Sequence, residues 1–123
     1  MVLDSNIVIY AANTPPQWLF DLVLRAGIAV PSVVEIEVYG FPGLQNTERK
    51  ELDNLFLHWT ILPLDAAVIA SAIEVRSLRR MGLGDAIVAA TTLVYSRPLV
   101  TRNVADFRHI AGLQLVNPFD TAL

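Results

Sequence analysis

Acidic residues stand at the points where this chain changes local pattern. Asp4 closes the apolar run Met1-Val2-Leu3. Glu35 and Glu37 alternate with apolar residues in Ser32-Val33-Val34-Glu35-Ile36-Glu37-Val38-Tyr39-Gly40. Asp85 follows Gly84 and leads into a strong helical run. Asp106 comes shortly after Pro98-Leu99-Val100-Thr101. Singly, such acids are ordinary: a carboxylate at a helix N-terminus caps free N–H groups and is favoured by the dipole. As a set they mean more. Carboxylates gathered within a few ångströms repel, and each is costly to keep ionised. Such a cluster persists when it holds a hard divalent cation, and Mg²⁺ and Mn²⁺ prefer oxygen ligands.

Other chemistries find little support. The chain has no cysteine, so it has no disulfide, thiolate metal site or thiol nucleophile. His58 and His109 lack ligand spacing, which leaves zinc without donors, and both read as surface or packing residues. There is no nucleophile elbow and no glycine-rich phosphate loop. A phosphotransfer receiver-like domain also sets acids at strand ends. It wants a pair of acids at the first strand and a lysine late in the chain, and neither is here.

The elements must bring the acids together. Met1-Val2-Leu3 reads as a buried strand, with a helix starting at Ser5 or Asn6; either residue, or Asp4 itself, can cap it. Pro16 opens a helix through about residue 26, with Trp18, Leu19, Leu22 and Val23 on one face, and Gly27 ends it. Ile28-Ala29-Val30-Pro31 is a second strand. The segment from Ser32 to Gly40 fits a strand by alternation, but Pro31-Ser32 as a start and Gly40 as a stop favour a helix capped by Ser32. Asn46 or Thr47 caps a helix over about residues 48–59, with Leu52, Leu55, Phe56 and Trp59 buried. Thr60-Ile61-Leu62-Pro63-Leu64 is a third strand. Asp65 caps a helix to about residue 80, whose apolar side is Ala66, Ile69, Ala70, Ile73 and Leu78. A helix from Asp85, the strand Pro98-Leu99-Val100-Thr101 and an edge-like strand Leu113-Gln114-Leu115-Val116 complete the chain.

Short strands alternating with helices predict a single α/β domain, a three-layer α/β/α sandwich with a mainly parallel central sheet. In such sheets ligands bind outside the carboxyl ends of the strands. Asp4, the helix with Glu35 and Glu37, Asp85 and Asp106 all fall on that edge.

Composition sets the remaining bounds. The 123 residues suit one domain, and 54% are apolar, which leaves material for a covered surface as well as a core. No apolar run is long enough to span a membrane, and no secretory signal is evident at the start. Those features predict a cytoplasmic protein with no membrane partner. The net charge of −3 argues against nucleic-acid binding through bulk positive charge. Six of the nine basic residues are nonetheless Arg76, Arg79, Arg80, Arg97, Arg102 and Arg108, in the C-terminal half. Arginine's planar fork suits phosphate.

Four stretches together resemble a known family. Leu3-Asp4-Ser5-Asn6, Ser32-Val33-Val34-Glu35-Ile36-Glu37, Gly84-Asp85-Ala86-Ile87-Val88-Ala89-Ala90-Thr91 and Val100-Thr101-Arg102-Asn103-Val104-Ala105-Asp106-Phe107 are similar to the acidic motifs of PIN-domain ribonucleases. VapC toxins of toxin–antitoxin pairs look most alike. The resemblance implies a PIN-like fold and a Mg²⁺- or Mn²⁺-dependent endoribonuclease. It carries the family's acids onto Asp4, Glu37, Asp85 and Asp106, choosing Glu37 over Glu35 because Val38 and Gly40 follow. Asp4, Asp85 and Asp106 are the implied metal ligands, and Ser5, Asn103 and Arg102 the implied supporting or substrate contacts. Many members have aspartate where Asn103 stands, which puts a second metal position in doubt. The resemblance also implies an RNA substrate, a cognate antitoxin and a homodimer. The rival from another class is a PIN-fold protein that binds RNA or protein without turnover.

Overall fold

In a computed structural model, which describes residues 1–120, five short strands form one sheet in the order β3-β2-β1-β4-β5, every neighbouring pair parallel. The strands are β1 (Val2–Leu3), β2 (Ala29–Pro31), β3 (Thr60–Leu62), β4 (Leu99–Val100) and β5 (Leu115–Val116). Seven helices flank them among the described residues: α1 (Ser5–Ala11), α2 (Gln17–Val23), α3 (Ser32–Tyr39), α4 (Asn46–Phe56), α5 (Ala66–Leu78), α6 (Leu83–Val94) and α7 (Val104–Phe107). This is the α/β architecture with a parallel central sheet that the alternation of strands and helices predicts.

The apolar character of the strands follows from their burial. Val2, Leu3, Ala29, Val30, Leu99 and Val100 are inaccessible to solvent, as expected for parallel strands covered on both faces. Burying each of the larger ones contributes about 1.5–3 kcal/mol. Phe107 and Leu19 complete the core beneath the helices. Trp59 packs edge-on to Phe56, and its indole N–H donates to the Val23 carbonyl at 2.7 Å.

The sheet order fixes the working edge. The chain builds outward from β1 through β2 to β3, then crosses to the other side of β1 for β4 and β5. The switch point therefore lies at the carboxyl ends of β1 and β4, where a crevice opens in folds of this kind. Helix α6 precedes β4 and returns antiparallel to the strands, so its N-terminus sits on the same edge as the ends of β1, β2 and β4.

Several local expectations need correction. The segment after β2 is helical, but its N-cap is Pro31, and Ser32 is already inside the helix. Helix α2 stops at Val23, short of residue 26. Helix α4 begins at Asn46 and is capped at Gln45, whose backbone N–H donates to Glu48 Oε1 at 3.1 Å; Trp59 lies beyond its end. Asp65 does cap α5, accepting from the Val68 N–H at 2.9 Å. The buried side of α5 is Val68, Ala72 and Val75, set against α6; Ile69, Ile73 and Leu78 face outward, 47–66% exposed. A helix apolar on most of its circumference gives no periodicity by which to choose a face.

Candidate active site

Asp4 is the centre of the carboxyl edge. It ends β1 and has extended backbone (φ −77, ψ 161), so it serves as N-cap of α1. Its Oδ1 accepts from the Ser5 N–H at 2.8 Å. Its Oδ2 accepts from the Thr101 hydroxyl at 2.8 Å and from Asn6 Nδ2 at 3.3 Å. Register explains the Thr101 contact: Leu3 pairs with Val100 across the parallel ladder, so the next residues of both strands emerge side by side. Thr101 is wholly buried and Asp4 only 3% exposed. Burial raises the Asp4 pKa. The Thr101 and Ser5 hydrogen bonds oppose that rise, and the charge of Asp106 adds to it.

The other acids arrive from separate elements. Glu37 projects from α3, and Asp85 from the first turn of α6. The N-cap of α6 is Gly82 and makes no side-chain cap bond, so Asp85 does not cap the helix as a lone reading would have it. Among the described residues neither the Asp85 nor the Glu37 carboxylate accepts a hydrogen bond. Partial burial raises the pKa of each first. The charges of Asp4 and Asp106 then raise that of Asp85, and those of Asp4 and Asp85 raise that of Glu37. Asp106 lies exposed on α7, close enough for its charge to act on both Asp4 and Asp85.

Glycine makes one of these approaches possible. A Cβ at Gly84 would stand 3.0 Å from Glu37 Oε2. Glu37 is an exposed residue, yet its carboxyl group lies against the start of α6 and is partly desolvated. Glu35 points elsewhere: its charge acts on Tyr39, whose hydroxyl donates to Asp53 at 2.7 Å.

The supporting residues divide. Ser5 contributes its backbone N–H and a hydroxyl bond that lowers the Asp4 pKa. The Asn103 backbone N–H donates to the Thr101 hydroxyl at 3.0 Å, while its exposed side chain caps nothing. Arg102 donates its backbone N–H to Asn6 Oδ1 at 3.2 Å. The sequence offers Asn6 only as a helix cap, a place Asp4 takes instead, and gives neither Asn6 nor Thr101 a part in holding Asp4. Their signal was only adjacency to Asp4 and to the end of a strand.

The donors here are anionic and oxygen-only, the ligand type that hard divalent cations prefer. Among the described residues no three His, Cys, Asp or Glu side chains form an arrangement that holds a metal ion. Like-charge repulsion opposes a closer gathering of the bare carboxylates. Neither histidine is near this chemistry in kind: His58 is exposed, and both ring nitrogens of His109 are buried with no partner among the described residues. No helix among the described residues is long and apolar enough to cross a membrane.

The family model of the PIN domain matches residues 1–113. Among curated proteins, the chain is 29% identical to ribonuclease VapC2 of Rickettsia felis over 128 aligned residues, covering 94% of this chain and 96% of that protein. It is 28% identical to ribonuclease VapC10 of Mycobacterium tuberculosis, covering 87% of this chain and 85% of the relative. Among solved structures, a chain of the Rickettsia felis VapBC2 complex bound to a promoter DNA fragment superposes with a TM-score of 0.83 at 26% identity, covering 94% and 96% of the two chains. A chain of a toxin–antitoxin complex from Klebsiella pneumoniae gives 0.77 at 23% identity over 95% and 96%, a likeness of fold.

Proposed function

The chain belongs to the PIN-domain family, and from that premise we propose that it is a metal-dependent endoribonuclease, the toxin of a toxin–antitoxin pair. What supports this reading is that Asp4, Glu37, Asp85 and Asp106, carried by separate elements, lie near enough for the charge of Asp106 to act on Asp4 and Asp85, and that of Asp4 on Asp85 and Glu37. Buried or half-buried like charges that raise one another's pKa destabilise a fold unless a ligand offsets them. A site built so suits a cation together with an anionic substrate.

In this reading Asp4, Asp85 and Asp106 would hold Mg²⁺ or Mn²⁺, which when bound would supply Lewis acidity toward a phosphate and offset charge on its oxygens. The protein's own groups do the rest. Glu37 would hold the attacking water at its carboxylate and accept its proton; burial and the charges of Asp4 and Asp85, which raise its pKa, make it a stronger base. Thr101 and Asn6 fix the Asp4 carboxylate in one orientation, which spares reorganisation when the site fills. Ser5 lies at the start of α1, where its hydroxyl can orient water or phosphate. Arg102 supplies positive charge beside a centre that would otherwise repel RNA. Asn103 offers an oxygen without a charge, so the second side of the site is less anionic than the first.

The antitoxin is proposed from the neighbouring structures, which are toxin–antitoxin complexes. The outward Ile69 and Ile73 of α5, with exposed Leu64 and Leu83 nearby, are the surface we assign to self-association.

The test is Asp85→Asn, with folding verified by circular dichroism. Loss of RNA cleavage in that variant and on adding EDTA to the wild type supports the reading. Cleavage that survives both refutes it.

A further inference from the structure

The C-terminal end of α5 carries charge that the fold does not use. Arg76, Arg79 and Arg80 are exposed, and their guanidinium groups make no hydrogen bond, ion pair or ring contact among the described residues. Other arginines of this half are engaged within the fold: Arg97 donates to the Gly27 carbonyl at 3.2 Å, and Arg102 to the Tyr10 hydroxyl. Arg76 and Arg80, with Ser77, line one surface cavity of about 380 Å³, whose remaining lining is Ile73 and Met81. The helix dipole explains little of this. It favours a cation in the last turn, where Arg76 stands, but Arg79 is already the C-cap with extended backbone and Arg80 lies beyond the helix. Glu74, the one acid within α5, pairs with none of the three. Like-charged neighbours three and four residues apart are destabilising, and an anionic ligand removes that cost.

The cluster stands at the acidic end of its helix pair. Helices α5 and α6 pack together, and the Tyr95 hydroxyl at the end of α6 donates to Asp65 Oδ2 at the start of α5 at 3.2 Å. The two helices are therefore antiparallel, and the end of α5 comes beside the start of α6, where Asp85 lies. At most about 18 Å of extended chain separates Arg80 from Asp85. The anion that fits must tolerate the acidic centre. An acidic protein segment on this path runs past Asp85 and Glu37, whose charges repel it. An RNA strand carries a phosphate at every nucleotide, meets the acids through a cation, and needs positive charge elsewhere because the centre itself is anionic. A guanidinium fork binds two phosphate oxygens at once.

We propose that Arg76 and Arg80 grip the RNA backbone at phosphates away from the scissile one, a second holding point that positions the strand over the acids. This rests on the ribonuclease reading, yet it is measurable apart from cleavage. A labelled single-stranded RNA of about 12 nucleotides is titrated by fluorescence anisotropy in EDTA over a series of salt concentrations. Wild type, Arg80→Gln, Arg80→Lys and the double variant Arg76→Gln/Arg80→Gln are compared, each with folding checked by circular dichroism. Arg25→Gln, before β2 at the other edge of the sheet, is the control. The slope of log affinity against log salt should become shallower by about 0.7 in Arg80→Gln and about 1.4 in the double variant. The double variant should lose about tenfold in affinity. Arg80→Lys and Arg25→Gln should keep the wild-type slope. With Mn²⁺ present, KM of the double variant should rise by the same factor while kcat holds. Arg76 borders the apolar face assigned to self-association and Arg80 does not, so Arg80→Gln decides the matter should the double variant fold or assemble differently. Wild-type affinity and slope in Arg80→Gln, or an equal change in Arg25→Gln, overturns the inference. So does loss of a protein partner with RNA binding unaltered. Cleavage with unchanged KM in the double variant leaves the ribonuclease reading standing without the grip. A shallower slope in a protein that cuts no RNA overturns the ribonuclease reading and leaves the grip standing.

Discussion

Thr101 donates its hydroxyl proton to Asp4 Oδ2 at 2.8 Å, joining the carboxyl ends of two adjacent parallel strands inside the fold. The same hydroxyl oxygen accepts from the Asn103 N–H at 3.0 Å. Thr101→Val keeps the shape and removes both bonds. Stability should fall by about 1–3 kcal/mol, because the buried Asp4 carboxylate loses one of its donors and the Asn103 N–H loses its acceptor. RNA cleavage should fall roughly 10–100-fold through loss of the oriented Asp4 carboxylate. Thr101→Ser should restore most of the activity. Wild-type cleavage by the valine variant would show that Asp4 needs no such support.

Asp85 works against the fold that carries it. Asp4, Glu37 and Asp85 all have folded-state pKa values above those of the unfolded chain, through burial first; the charge of Asp106 adds to the rise at Asp4, those of Asp4 and Asp106 at Asp85, and those of Asp4 and Asp85 at Glu37. Their protonated forms are favoured in the native state. The stability they contribute is therefore complete below the unfolded values, near pH 4. It is lost as pH rises through the raised folded values. In metal-free protein Asp85→Asn should raise the thermal midpoint at pH 7 by a few degrees and flatten that decline, while cutting cleavage at least about 100-fold. A midpoint that drops at pH 7 would mean that Asp85 is a stabilising charge.

Divalent ions should reverse the same penalty. Mg²⁺ or Mn²⁺ at about 100 times its dissociation constant should stabilise the native state by about 2.7 kcal/mol. Differential scanning fluorimetry in the presence and absence of EDTA reads this directly. Asp4→Asn should respond far less to the ions than wild type does. An equal response in both proteins would place ion binding elsewhere.

Gly84 should separate stability from activity. It sits inside α6, where alanine is preferred by about 0.5–1 kcal/mol. Its added Cβ would meet Glu37 Oε2 at 3.0 Å, so the carboxylate must move by a few tenths of an ångström. Gly84→Ala should melt higher than wild type and cleave about tenfold more slowly, with the loss in kcat. Faster melting, or unchanged turnover, would contradict this account of Glu37.

His109 offers a control outside the site. Both its ring nitrogens are buried with no hydrogen-bond partner among the described residues. Unmade bonds of this kind cost about 1–3 kcal/mol each. His109→Leu should raise the unfolding midpoint in urea while RNA cleavage stays at the wild-type rate. A destabilised variant would show that the imidazole has a partner in solution.

Much of the architecture was legible in the chain itself. Alternating apolar runs and helical patterns determine a parallel α/β sandwich, because strands buried on both faces must be apolar and crossovers must be helical. Turn chemistry determines several boundaries, such as the Asp65 cap and the stop at Gly40. The positions of Asp4, Asp85 and Asp106 relative to their strands, and the resemblance to PIN-domain sequences, follow from order along the chain. Tertiary structure decided the rest. Whether Asp85 caps its helix, which side of α5 is covered, and whether Glu35 or Glu37 faces Asp4 depend on how a helix is rotated about its axis. Alternating glutamates and an all-round apolar helix leave that rotation unspecified, and only packing against the sheet and α6 sets it. The Thr101–Asp4 bond depends on strand register between residues far apart in sequence, which no local pattern encodes.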